Sequence, residues 1–327
     1  MSPPGGAARI LLVTDDAMDR HAAPGHPERP ARRAAAAAGV ERAAAATGAR
    51  FDRRGPMPAT IAQVQRIHAP AYLQLLADEA ARGGAWLDGD TYLSPGSWDA
   101  ALLAAGATVQ VAEAVARGEA TVAFAAVRPP GHHAAAGRGA GFCLINNIAV
   151  AVAALRAAGL VERVAIVDWD VHHGDGTQAI FDAAPALLYT STHQFPFYPG
   201  TGARSEQGSG GARGTTLNRP LSAGSGDKEL IAAWVTELLP AIEAFAPGAI
   251  LVSAGYDAHG DDPLAELNVT ERAYRAVAVE LGAVARRLGL PGVALTLEGG
   301  YDLAALELSV AATIEGLLAG LAGSEGS

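Results

Sequence analysis

The chain has 327 residues, half of them apolar, with 39 glycines and 19 prolines, enough to bury a large core and to turn often. Its 24 Lys and Arg against 34 Asp and Glu leave a net charge of −10, which repels a phosphate backbone and excludes nucleic acid as the expected partner. A long uncharged run, between Arg138 and Arg156, holds Gly139, Gly141, Asn146 and Asn147, which a bilayer-spanning helix would carry at a cost, so a buried loop and helix is expected there and no membrane partner.

The opening MSPPGGAAR has no basic segment followed by an apolar stretch, so the chain is expected in the cytoplasm, and the single Cys143, which has no internal disulfide partner, fits a reducing compartment. No Ser/Pro-rich or charged linker interrupts the middle. One domain over 9–321 is therefore expected, with 1–8 as a disordered N-terminal segment and 322–327 as a flexible tail. A homo-oligomer is compatible with this composition.

In chain order, ILLVT at 10–14, TVAFAAV at 121–127, RVAIVDW at 163–169, ALLYTST at 186–192, AILVS at 249–253 and VALTL at 293–297 read as strands. Ala-rich stretches at 34–38 and 43–46 favour helix, and apolar spacing predicts helices over 97–117, 145–158, 227–245, 270–288 and 303–319, with Asp227 and Thr270 as N-caps. This alternation predicts an α/β fold with a parallel sheet flanked by helices. Ligands of such sheets bind beyond the carboxyl ends of the strands. Four strands here run into RPPGHH (128–133), DVHHGDG (170–176), AGYD (254–257) and EGGY (298–301), delivering His, Asp and Tyr to one edge.

DWDVHHGDG, residues 168–176, packs three Asp and two His into nine positions. In extended chain Asp168, Asp170 and His172 share one face while Trp169 and Val171 face the packing side, so an Asp-x-His pair can chelate one cation. The plainer reading, acids that cap the next helix, suits Asp175 alone better than the whole segment. A catalytic cation takes three protein ligands and leaves a position open. Asp257 is the third candidate, because it follows a strand of the same type behind Ala254 and Gly255, whose small size permits close approach. Two carboxylates and an imidazole suit Zn²⁺ and also Fe²⁺. The tandem His132–His133, on a loop stiffened by Pro129 and Pro130, titrates in the range a general base and acid require.

Together GHHA (131–134), GFCLINN (141–147), DWDVHHGDG, YPGTG (198–202), AGYD and EGGY resemble the histone-deacetylase branch of the arginase/deacetylase fold family, in order over roughly residues 10 to 320. The GHPERP segment at 25–30 and the EGGY ending are closer to class II and bacterial members and to the acetylpolyamine amidohydrolases than to nuclear class I enzymes. The resemblance implies a single-domain, three-layer α/β/α architecture around a mainly parallel eight-stranded sheet, and a zinc-dependent hydrolase that removes acetyl or other acyl groups from lysine side chains or related amines. It implies Asp170, His172 and Asp257 as metal ligands, His133 as general base and acid oriented by Asp175, and His132 paired with Asp168. Tyr301 is implied as donor to the developing oxyanion.

By the same resemblance Phe142 and Tyr198 wall a narrow channel beside Gly141, and Asp90 is a rim acid that bonds the substrate backbone. A structural K⁺ would draw on Asp168, Asp170, His172, Ser191 and Thr192. Leu264 stands where polyamine-selective relatives carry an acid, which places acyl-lysine proteins or peptides first as substrates and acetylated polyamines or other small amines second. Cys143 is expected to pack. His26 lines the channel mouth with its role open, His21, His68, His193 and His259 read as surface or loop histidines, and Asp261 and Asp262 as solvated acids. Two other classes compete with this reading. A silent acyl-lysine binding module is disfavoured by Tyr301, and an arginase-like two-metal hydrolase needs further Asp and His ligands.

Overall fold

The computed structural model describes residues 7–323. Its strands are β1 (Arg9–Val13), β2 (Arg50–Arg54), β3 (Ala85–Trp86), β4 (Tyr92–Leu93), β5 (Val122–Ala125), β6 (Val164–Asp168), β7 (Leu187–Gln194), β8 (Thr216–Leu221), β9 (Ala249–Ala254) and β10 (Val293–Leu297). Eight of them form one sheet in the order β2-β1-β5-β10-β9-β6-β7-β8, and every pairing in it is parallel. Strands β5, β6, β7, β9 and β10 are buried along their whole length. That is why β5, β6, β9 and β10 read as nearly continuous apolar runs, since a parallel sheet is covered on both faces.

The two strands that apolar runs do not announce are the two sheet edges. All five residues of β2, RFDRR, are exposed, and charged edge positions guard against pairing with another chain. β8 carries Pro220, which an edge tolerates because it has no ladder hydrogen bond to lose on its open side. β3 and β4 make a separate antiparallel pair.

The helices are α1 (Ala31–Thr47), α2 (Ile61–Val64), α3 (Pro70–Ala81), α4 (Ser97–Ala116), α5 (Asn147–Ala157), α6 (Asp175–Phe181), α7 (Asp227–Ala233), α8 (Leu239–Phe245), α9 (Glu271–Arg287) and α10 (Leu303–Ala322). α4 packs on α5 and on the sheet, while α9, α10 and α1 pack together in the opposing layer. The expected helix over 227–245 is interrupted at Trp234–Leu238 by a wider π-type turn just before Pro240, whose ring cannot sit in an unbroken helix interior. Thr270 does cap α9, its hydroxyl accepting from Arg272 N. Asp227 instead lies inside α7, and its carboxylate accepts the backbone N–H and hydroxyl of Thr270 at 2.7 Å each, tying the two helix starts together. α10 runs to Ala322 and ends at Gly323 in the left-handed region, while 1–6 and 324–327 lie outside the described residues. α4 and α10 are long and apolar enough to cross a membrane by length and composition, but two-thirds of each apolar window is buried within the fold, as for core helices.

Because the sheet is parallel, the exits of β5, β6, β7, β9 and β10 all open on one edge. The polar motifs gather there.

Candidate active site

The chain leaves β6 after Asp168 with alternate residues on opposite sides. Trp169 turns into the core, its ring centroid 6.2 Å from Trp234 and 6.4 Å from Tyr274, while Asp170 and His172 turn to the open edge. His172 Nδ1 lies 3.1 Å from Asp170 Oδ1 and 3.2 Å from Asp257 Oδ2, and a ligating atom from each of the three falls within 4.8 Å of the others. His173 points away instead, bonded to Thr201 at 2.8 Å and Gln178 at 2.9 Å. The two carboxylates meet because glycine faces them: a Cβ on Gly255 would stand 2.1 Å from Asp170 Oδ2, and one on Gly299 would stand 2.0 Å from Asp257 Oδ2. Any side chain there would expel the carboxylates.

Burial opposes a charged imidazole at His172, but hydrogen bonds and charge from Asp170 and Asp257 lift it to about 10. Burial, then the negative charge of Asp170, pushes Asp257 up. Apart from the approach of His172 Nδ1, the buried Asp257 Oδ2 has no hydrogen-bond partner. A strongly negative, dry pocket with an orphaned carboxylate oxygen suits a divalent cation, which would displace the imidazole proton and satisfy that oxygen.

Two His–Asp pairs flank this cluster. His132 Nδ1 lies 3.2 Å from Asp168 Oδ2, and His133 Nδ1 lies 2.8 Å from Asp175 Oδ1. Asp175 also opens α6 and receives Arg138 at 2.8 Å, so the capping reading and the pairing reading hold together. Burial works against charge on His132, yet Asp170 and Asp168 hold it well above the usual imidazole range. At His133 burial and the charge of His132 act together and push the pKa down to about 3. The two rings are therefore pushed in opposite directions, His132 toward the charged form and His133 toward the neutral one.

Tyr301 is buried, its ring edge-on to Phe142 at 5.9 Å. Tyr198 is 41% exposed and stands edge-on to His133 at 5.2 Å and to His172 at 6.0 Å. Gly141, at φ 52°, lies so close that a Cβ would meet His133 Cδ2 at 2.3 Å. His26 bridges the rim: its ring is edge-on to Phe142 at 4.7 Å and its Nε2 lies 3.0 Å from the carbonyl oxygen of Asp90. Asp90 is thus at the mouth. Leu264 is half-buried, and its N–H bonds Asp262 Oδ1 at 3.0 Å. On β7, Ser191 is in register with Asp168, and Thr192 accepts from Trp234 Nε1 at 3.0 Å. Cys143 is buried, and burial pushes its thiol far above the reactive range.

Several expectations are corrected. Asp262 is buried, not solvated, and its Oδ2 accepts the N–H of Tyr301 at 2.6 Å. His21, His68, His193 and His259 are buried too. His21 bonds Ser97 at 2.7 Å and stacks on Tyr92, and His193 bonds Ser191 and Gly202 O at 2.9 Å each. The partner of His21 lies 76 positions along the chain and those of His193 lie two and nine positions away, and neither ring sits in a pattern that marks it as buried.

Residues 26–317 match the family model described as the histone deacetylase domain. The chain is 38% identical over 313 residues to a "Probable deacetylase" of Archaeoglobus fulgidus, covering 96% of this chain and 86% of that protein. It is 39% identical to the "Histone deacetylase-like amidohydrolase" of Pseudomonas aeruginosa, covering 82% of this chain and 71% of that one. The chain belongs to the histone deacetylase family. Among solved structures, that of the HDA15 HD domain superposes with a TM-score of 0.87 at 38% identity, covering 94% of this chain and 90% of that one.

Members of this family are typically metal-dependent, and in this deacetylase domain the donor set Asp170, His172 and Asp257 has the chemistry for such an ion. The deacetylase site also contains groups with no motif of their own. Arg32, fully buried on α1, donates to Gly300 O at 2.5 Å and to Glu298 O, and its guanidinium stands 4.6 Å over the Tyr301 ring. Glu28 in turn holds Arg32 at 3.0 Å and Arg128 at 2.6 Å. The signal available was the run of charge in GHPERPARR, residues 25–33, directly before and into the Ala-rich stretch of α1.

Proposed function

We propose that this deacetylase hydrolyses the amide of an acyl-lysine side chain, or of a related acylated amine, with Zn²⁺ held by Asp170, His172 and Asp257. The observation that carries this reading is the meeting of those three ligating atoms within 4.8 Å beside two His–Asp pairs. Fe²⁺ suits the same donors. The bound cation supplies Lewis acidity to the acyl carbonyl and to water.

His133 does the proton work. With Nδ1 donating to Asp175, the neutral ring has its lone pair on Nε2, which takes the proton from the attacking water and returns it to the departing amine. His132, held charged between Asp168 and Asp170, stabilises negative charge next to it without needing to move a proton. Tyr301 donates its hydroxyl hydrogen to the oxyanion, and Phe142 and Tyr198 flank the methylene stem. Asp90, with His26, forms the rim. A K⁺ near Asp168, Asp170, His172, Ser191 and Thr192 would steady the β6 and β7 ends.

The test is amine release from a fluorogenic acetyl-lysine substrate, an acyl-lysine series and acetylpolyamines. Turnover is expected on acyl-lysines, lost on chelation and restored by Zn²⁺. Full turnover in metal-free protein, or none on any acylated amine, defeats the reading.

A further inference from the structure

At the end of β10, Glu298 is completely buried, and its carboxylate is hydrogen-bonded to neutral donors. Oε2 accepts two convergent backbone N–H groups, Gly131 at 2.7 Å and His132 at 3.1 Å, and Oε1 accepts the hydroxyl of Ser253 at 3.0 Å. Its main chain is equally tied: Glu298 N donates to Ala254 O at 3.1 Å, Glu298 O accepts from Arg32, and the next N–H, of Gly299, donates to Asp170 Oδ2 at 2.7 Å. One residue therefore joins the exits of β5, β9 and β10 to α1 and to a candidate metal ligand.

A buried carboxylate with these partners asks for a reason. Consecutive N–H groups on a tight loop form a concave cradle for negative charge, and Glu298 fills it. The loop carries both tandem rings, but the aspartates that orient those rings, Asp168 and Asp175, belong to the β6 exit. The two sides are connected covalently only through distant chain. Without Glu298, the N–H pair is unsatisfied in a dry site and the loop loses its tie to β9 and β10, leaving Thr177, Asn146 and Asn147 to hold its carbonyls while its N–H side shifts.

We propose that Glu298 is a positioning residue, which locks the tandem-histidine loop to the sheet so that His132 and His133 meet Asp168 and Asp175. It does not touch substrate. The proposal rests on His132 and His133 as the pair that works on the substrate, and its consequence falls on turnover more than on binding, because Phe142 and Tyr198 lie outside the locked loop.

The test compares Glu298→Ala with Glu298→Gln in metal-loaded protein, measuring kcat, KM, bound metal per chain, thermal unfolding and the downfield proton resonances of the two His–Asp pairs. Glu298→Ala is expected to lower kcat about 10- to 100-fold, the usual effect of removing a supporting partner of this kind, with KM within about twofold, metal retained and both resonances displaced. Glu298→Gln, which still offers Oε1 to the same N–H pair, is expected to recover most of that loss. Should the alanine variant not fold, Glu298→Asp, one methylene too short for the cradle, takes its place with the same expected loss. The inference is overturned if kcat stays within about twofold of the parent, if the loss lies in KM alone, if folded, metal-loaded Glu298→Gln is as impaired as Glu298→Ala, or if the resonances do not move. The resonances read the loop without turnover, so a parent protein that cleaves no acylated amine defeats the functional reading and leaves this test intact.

Discussion

The backbone N–H of Tyr301 donates to Asp262 Oδ2 at 2.6 Å, a contact that ties the proposed oxyanion donor to the loop carrying Leu264. Asp262 also receives Asp302 N at 3.3 Å, so one carboxylate fixes the turn between β10 and α10. Burial, reinforced by the charge of Asp257, raises Asp262 to about 7. Asp262→Ala strips the acceptor from three N–H groups and is expected to lower kcat at least about 10-fold with metal content unchanged, as measured by steady-state kinetics and metal analysis. A kcat equal to that of the parent would show that Tyr301 is placed by other contacts.

Tyr301→Phe removes the hydroxyl and leaves the ring, which is packed against Phe142 and under Arg32. Turnover is expected to fall about 10²-fold or more, since that is the typical loss for one oxyanion donor, while metal binding and unfolding temperature stay at parental values. An unchanged rate removes Tyr301 from the reaction.

Asp257→Asn removes one of the two carboxylate charges of the cluster and should leave purified protein with little bound divalent metal. Metal analysis after dialysis checks this directly. Retention of one ion per chain would place the ligands elsewhere.

His68 predicts an acid sensitivity. Its Nε2 accepts the N–H of Asn146, the N-cap of α5, at 2.9 Å, while Nδ1 lies 3.0 Å from Ala135 O, so the ring fits only as the neutral Nδ1–H form. Burial pushes its pKa from 6.5 down to about 4. The unfolded chain therefore binds a proton that the folded chain refuses between those two values. This contribution is fully present above about pH 6.5 and is lost as pH falls toward about 4, at most roughly 3 kcal/mol. His68→Gln, which accepts and donates without titrating, should flatten the pH dependence of urea unfolding in that window. An unaltered slope would place the titration on other groups.

His133→Ala removes the proton carrier and is expected to cost about 10²- to 10⁴-fold in kcat, with substrate affinity kept. His132→Ala should also be severe, because it takes the positive charge from between Asp168 and Asp170. Kinetics of both variants with one acetyl-lysine peptide separate the roles, and parental rates in either would reassign the tandem pair.

The interior strands were legible because a parallel sheet covered on both faces demands unbroken apolar runs, and β5, β6, β9 and β10 obey that demand. The edge strands β2 and β8 were not, since an edge is stabilised by one neighbour and protected by charge and proline. α3 has the spacing Tyr72, Leu73, Leu76, Ala80 on its buried face, a signal that was present in the chain.

At the site, Asp170 and His172 could be paired from sequence because alternation along an extended chain places them together two residues apart. Their union with Asp257, and the pairing of His132 with Asp168 and His133 with Asp175, came by resemblance to a family and by the convergence of strand exits. What the chain alone determined is the chemistry at those exits: hydrophobic strands that stop abruptly in His, Asp, Gly and Tyr. What only the tertiary structure decided is which polar groups lose water. Asp262, Glu298, Arg32 and the histidines at 21, 68, 193 and 259 look like ordinary solvated residues in their local neighbourhoods, and each is buried by elements tens to hundreds of positions away. Desolvation depends on everything that packs around a group, and that is a property of the folded whole.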